Sequence, residues 1–233
     1  MSQLAIEHGL GRKRPKRDDR DFMLRDYVPL RITGTRALWP MVDPTMRIDQ
    51  GNEGTCVGHG CTNVLMAGPS EHRVFPSFAS TASAHIFARK LYFDATGDAT
   101  YQQGAYTRDA LDVLKKRGQI GAYYRLGTVD EIIATLLNFG PVVFGSTWYS
   151  SMDDPIAQFN NQYLRVDASS EIRGGHLYCF TGVDLKPLVG PPFVRQENSW
   201  GPGFAKNGTA RISIDDLHVL YDGDAYRLVE TAF

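Results

Sequence analysis

The chain has 233 residues, enough for one large domain or two closely packed halves around a substantial core. Apolar residues make up 42% and charged residues 22%, an ordinary soluble composition, and the formal net charge of −1 argues against a polyanion partner for the body of the chain. No stretch approaches ~18 consecutive apolar residues, so no membrane partner is expected. The opening MSQLAIEHGLGRKRPKRDD lacks the apolar core of a secretory signal, which favours the cytoplasm or a place in a larger particle.

Residues 1–35 read as an N-terminal arm. The block Gly11–Arg17 (GRKRPKR) has the character of a solvated tail, and Arg12–Arg17 is the one segment suited to a nucleic-acid or anionic-surface contact. A first helix is predicted from Cys56 through Met66, stopping at Gly68-Pro69. Gly58 and Gly60 weaken it, which implies a close neighbour. A second helix is predicted over Phe78–Leu91, with Ala82, Ile86 and Leu91 as core positions. A third spans Thr107–Arg117, carries Ala110, Leu111 and Leu114, and ends at Gly118. Thr128 and Glu131 make a capping-box pattern ahead of a fourth, with Ile132, Ile133, Leu136 and Leu137. Strands are predicted at Val142–Trp148, Leu177–Val183, Phe193–Asn198, Ala210–Ile214 and Ala225–Glu230. Helices first and strands later argue for an α+β fold.

Three segments carry chemistry. In Asp49–Cys56 (DQGNEGTC) a polar, glycine-rich loop runs into a helix that starts on a cysteine. Unpaired N–H groups and the positive end of the helix dipole favour a thiolate there, which makes Cys56 a candidate nucleophile. The Gln50 amide could donate to an oxyanion together with the Cys56 N–H. His176 opens a strand after Gly174-Gly175 and could act as a base toward a thiol. Asn198, in Glu197–Gly201 (ENSWG), could accept from the imidazole and fix its tautomer, with Trp200 shielding that hydrogen bond. His59, one turn along the helix from Cys56, reads as a packing residue, and His218 as exposed. Cys56, Cys61 and Cys179 form no zinc pattern and no disulfide framework, and neither metal nor cofactor is expected.

Gln50…Cys56, His176 and Asn198-Ser199-Trp200-Gly201, in that order, resemble the papain and cathepsin family of cysteine peptidases. Asn198–Arg211 (NSWGPGFAKNGTAR) is similar to that family's catalytic strand, turn and return strand. Gln103–Tyr106 (QGAY) is similar to its substrate-flanking loop. Arg20-Asp21-Phe22, Phe87–Leu91 (FARKL) and Gly140–Gly145 (GPVVFG) look like a compact bacterial or phage branch. The resemblance covers about residues 36–233. It implies a papain-like two-lobed fold: a mainly helical left lobe (about 45–125) and an antiparallel, β-barrel-like right lobe (about 126–233), with the active-site cleft between. It implies an endopeptidase working through a Cys56 thioester on a peptide or protein substrate. Cys56, His176, Asn198 and Gln50 would be catalytic. Gly104 and Ala105 would clamp the substrate backbone, with Trp148, Gly175 and Trp200 beside it. A non-catalytic papain-like binding module and an acyltransferase or deamidase using the same three residues are the alternatives. Departures from the family pattern are Glu53 in place of a half-cystine, Val57 after the nucleophile, Gly175 before the histidine and Glu197 before the asparagine.

Overall fold

A computed structural model describes residues 8–16, 21–41, 43–67, 78–159 and 161–229. Gly68-Pro69, Arg17–Arg20 and Glu230, which entered the reading above, lie outside the described residues. Helix α1 (Cys56–Met66) is buried almost all round. Its glycines explain how: a Cβ on Gly58 would lie 2.2 Å from the Ala88 carbonyl oxygen, and one on Gly60 would lie 2.7 Å from the Leu177 side chain. The helix is pressed against a second helix on one side and against the sheet on the other.

That second helix, α2 (Thr81–Thr96), begins later and runs further than the sequence predicts. Ser80 accepts from the Ser83 N–H as a cap, and Gly97 closes the helix in the left-handed conformation. Its buried stripe is Ala84, Ala88, Leu91 and Tyr92. Ala82 and Ile86, predicted as core, are exposed, Ile86 by 65%. The physical reason is that close approach to α1 requires alanines, so the inward face of α2 is its less hydrophobic one. Helix α3 (Thr107–Lys116) buries Ala110, Leu111 and Leu114 as expected. Helix α4 (Val129–Asn138) is capped by Thr128, which accepts from the Glu131 N–H at 3.2 Å. Glu131 does not complete the box; its carboxylate takes the Gly127 N–H at 2.7 Å and pairs with Arg25 at 3.1 Å.

The strands are β1 (Arg36–Leu38), β2 (Ala122–Arg125), β3 (Val142–Tyr149), β4 (Ile156–Gln158), β5 (Asn161–Tyr163), β6 (Ile172–Asp184), β7 (Phe193–Glu197), β8 (Thr209–Ser213) and β9 (Asp224–Val229). They join in one sheet, ordered β2-β9-β3-β6-β7-β8-β5-β4, with β1 also on β6. Pairing is antiparallel except between β5 and β8. A short helix α5 (Ile214–Leu220) follows β8. The architecture is α+β, as predicted. Strand β6 organises the core by alternation. Leu177 and Cys179 pack with α1, α2 and α3, around Leu91, Leu111 and Tyr226. Tyr178 and Phe180 pack on the other side with Phe144, Trp148 and Ile212. Helices α1, α2 and α3 thus stand on one face of β6 and α4 and α5 join the core on the other, and the step between His176 and Leu177 sits where the first face meets α1.

Candidate active site

The loop ahead of α1 is sewn to the turn after β7. Gln50 N–H donates to the Ser199 carbonyl at 2.9 Å and Gly201 N–H to the Ile48 carbonyl at 3.1 Å. The Gln50 side chain, itself buried, accepts from Ser199 Oγ at 2.6 Å and donates from Nε2 to the Glu53 carbonyl at 2.8 Å. From within α1, Asn63 donates to the Asn198 carbonyl at 3.2 Å. The cysteine's helix and the asparagine's turn are therefore one unit.

His176 Nε2 donates to Asn198 Oδ1 at 2.8 Å, and the Ser199 N–H donates to the same oxygen at 2.8 Å, so the amide can only present its acceptor to the ring. That places the imidazole proton on Nε2 and leaves Nδ1, which has no hydrogen-bond partner, as the basic nitrogen. Trp200 stacks on the imidazole at 4.8 Å, and Trp148 meets it edge-on at 5.0 Å. Trp148 is fully buried in the core, with Nε1 donating to Asp153 at 2.9 Å, and backs the histidine. The Cys56 sulfur lies against the Leu177 N–H, one residue from His176. The four residues read as catalytic thus gather around the start of α1. His59 lies behind them, fully buried, with Nδ1 3.0 Å from the Thr55 carbonyl and Nε2 3.0 Å from His85. His218 is exposed.

The electrostatics depart from the expected thiolate. Burial pushes the Cys56 thiol up to about 11, against the opposing pull of the Leu177 and Gly11 N–H groups and the Arg12 charge. Burial also lowers His176 to about 4, outweighing the Asn198 hydrogen bond. Thiol and imidazole are therefore both neutral here, because desolvation outweighs the helix start.

The arm is part of what covers them: Gly11 and Arg12 lie near Cys56, and His8 and Arg12 near His176. Residues 8–16 are bound to the body, where the sequence read a solvated tail. Gly9 N–H donates to the Gly51 carbonyl at 3.0 Å, and Gln50 Nε2 donates to the Gly9 carbonyl at 3.0 Å. Ala105 N–H donates to the Gly11 carbonyl at 2.7 Å, Arg12 N–H to the Gly175 carbonyl at 2.9 Å, and Lys13 N–H to the Ala105 carbonyl at 2.8 Å. His8 stacks on Trp200 at 4.5 Å. The arm thereby occupies Gly104, Ala105, Gly175 and Trp200, the residues read as substrate contacts, together with the Gln50 donor. The fit depends on glycine. A Cβ on Gly11 would lie 1.9 Å from the Gly54 carbonyl oxygen, and one on Gly9 would lie 2.0 Å from that of Glu53. Across the groove, Gly104, at φ +69°, and Gly175 admit the arm's Gly11 and Arg12 carbonyls in the same way. Arg12 is buried and paired with Asp222 and Asp224, while Lys13 and Lys16 lie over the Tyr106 ring at 5.6 and 4.9 Å. Sequence left the arm open between a solvated tail, a docking tag and a segment draped over the cleft, and it missed Asp222 and Asp224. The available signal for the arm was Gly9 and Gly11, two apart, so that one face of an extended segment carries no side chain there.

No protein-family model and no curated protein matches the sequence. Solved structures do match in fold. Xylellain, a cysteine protease from Xylella fastidiosa, aligns with a TM-score of 0.73 at 19% identity, covering 100% of both chains. Digestive procathepsin L 3 of Tenebrio molitor larval midgut aligns at 0.64 and 14% identity, over 97% of this chain and 77% of that one. ProCathepsin B S9 from Trypanosoma congolense aligns at 0.59 and 13%, over 100% and 86%. The fold is the papain-like one.

Proposed function

We propose that this papain-like chain is a cysteine peptidase that cleaves peptide bonds through a thioester on Cys56, and that its own arm holds it latent. The observation that carries the reading is the His176–Asn198 pair: Nε2 is fixed by the amide and Nδ1 is left basic, one residue from the backbone N–H that touches the Cys56 sulfur. The cysteine-protease names of the fold neighbours support it.

Once the arm leaves, water reaches both groups and the desolvation that keeps them neutral is relieved. The thiol proton then passes to His176 Nδ1, giving a thiolate beside an imidazolium. The sulfur attacks the scissile carbonyl carbon. The oxygen, as it takes up the electron pair, is held by Gln50 Nε2 and the Cys56 N–H. His176 returns its proton to the leaving amine as the C–N bond breaks, leaving the thioester. It then takes a proton from water as the hydroxide adds, and the acid product departs with the thiol restored. Asn198 holds the ring's tautomer throughout.

The test is turnover of a mixed peptide library by the full chain carrying Gly11→Leu, whose side chain cannot share the groove with Gly54. Cleavage is expected there and is expected to vanish with Cys56→Ala. Gln50→Ala should reduce kcat by about 10²–10³-fold. Cleavage that survives Cys56→Ala would sink the proposal.

A further inference from the structure

The side chain of Arg12 fills a pocket whose chemistry does not depend on the arm. Its Nε donates to Asp224 Oδ2 at 2.6 Å and its Nη2 to Asp222 Oδ1 at 2.6 Å. Asp224, at the head of β9, is 1% exposed, and the Asp222 side chain at the rim is 15% exposed. Thr107, opening α3, also donates to Asp224 Oδ2 at 2.8 Å. The second oxygen, Oδ1, is buried with no partner. Gly145 on β3 makes the room: a Cβ there would lie 2.4 Å from Asp224 Oδ2 and 2.5 Å from Arg12 Nε. The backbone of Arg12 hangs from Gly175, next to His176, and the Gly11 N–H before it lies near the Cys56 sulfur. The pocket therefore opens beside the proposed nucleophile.

We propose that Asp224 and Asp222 form a specificity pocket for an arginine side chain of the substrate, of which Arg12 is the built-in occupant. The proposal deepens the peptidase reading and rests on it for the pocket's place in a substrate cleft. The physical driver is the state left when the arm withdraws. The carboxylate then keeps the Thr107 hydroxyl and gains only the water that the vacated slot admits, and an anion recessed in this way is poorly compensated. A cation restores the balance. The two carboxylates receive different nitrogens of one guanidinium, so its planar fork suits the site better than the single ammonium of lysine. An apolar side chain would leave both carboxylates unpaired, which is the strongest ground for rejection in a recognition pocket.

The test uses full-length Gly11→Leu for cleavage and Gly11→Leu/Cys56→Ala for equilibrium binding. Fluorescein-labelled hexapeptides carry arginine, lysine, citrulline or leucine at each position in turn. At one position arginine should be bound and cut at least about tenfold better than citrulline or leucine, with lysine between. Asp224→Asn should bring arginine and citrulline to near parity. Asp222→Asn, at the more accessible rim, should lower the same ratio and serves if the buried substitution disturbs folding. Equal binding of arginine and citrulline peptides at every position overturns the pocket, as does a preference that survives both substitutions. Failure of the peptidase reading looks different: no peptide is cut, while discrimination for arginine persists in binding.

Discussion

His176 is oriented from a single nitrogen. Asn198 holds Nε2, Trp200 covers one ring face, and Nδ1 is left for the thiol. Asn198→Ala removes the acceptor that selects the tautomer, so on the proposed mechanism kcat should fall by about 10²-fold or more with little change in KM. Steady-state kinetics in the Gly11→Leu background check this, and an unaltered kcat would separate Asn198 from the chemistry. In sequence these residues stood out through the order Gln50…Cys56, His176, Asn198 and the family resemblance it carries, and each segment alone said little. Their charge state was not legible. It depends on what covers Cys56 and His176, and part of that cover comes from residues 8–16, far away in the chain.

At the scale of elements, α1 is the helix that cannot change its neighbours. Gly58→Ala would set a methyl group against the Ala88 carbonyl of α2, a backbone atom that can move only with the helix. The expected cost is about 1–3 kcal/mol, a fall in Tm on the order of 2–10 °C by calorimetry. A Tm unchanged within about 1 °C would show that α2 yields freely. The glycines of α1 signalled this contact in the sequence, and α3 and α4 followed from caps and periodicity. The register of α2 did not, because alanine on the inward face and Ile86 on the outward face reverse the usual hydrophobic signal. Strands β1, β2, β4 and β5 are three or four residues long and carry too little alternation to stand out. The arm's strand-like pairing was hidden for a different reason: its basic residues dominate the pattern, while its fit rests on two glycines.

Across the whole molecule, the closed state buries neutral imidazoles. His59 is lowered to about 3 and His176 to about 4, both by burial. In the unfolded chain each takes a proton below about 6.5. As pH falls from there toward 4 and 3, the unfolded state binds protons that the folded one refuses, so their contribution to stability is lost on acidification. Glu197 works the other way. Burial raises it to about 7 despite Arg47 at 3.0 Å, so it favours the fold on acidification from about 7 to its unfolded value and adds nothing further below that. Melting temperatures of the full chain should therefore drop more steeply between about pH 6.5 and about pH 3 than those of His59→Gln, and parallel curves over that range would contradict the assignment. The arm, the cleft and the nucleophile meet in one quantity, the reactivity of Cys56 relative to the chain's other buried cysteines, Cys61 and Cys179. Site-resolved mass spectrometry of the full chain treated with a thiol-directed epoxide measures it directly. Cys56 should react slowly in the parent and at least ~10²-fold faster in Gly11→Leu, with Cys61 and Cys179 unchanged and the advantage lost on denaturation. Equal labelling of Cys56 in parent and variant, or faster labelling of Cys61 or Cys179, would contradict a nucleophile held under its own arm.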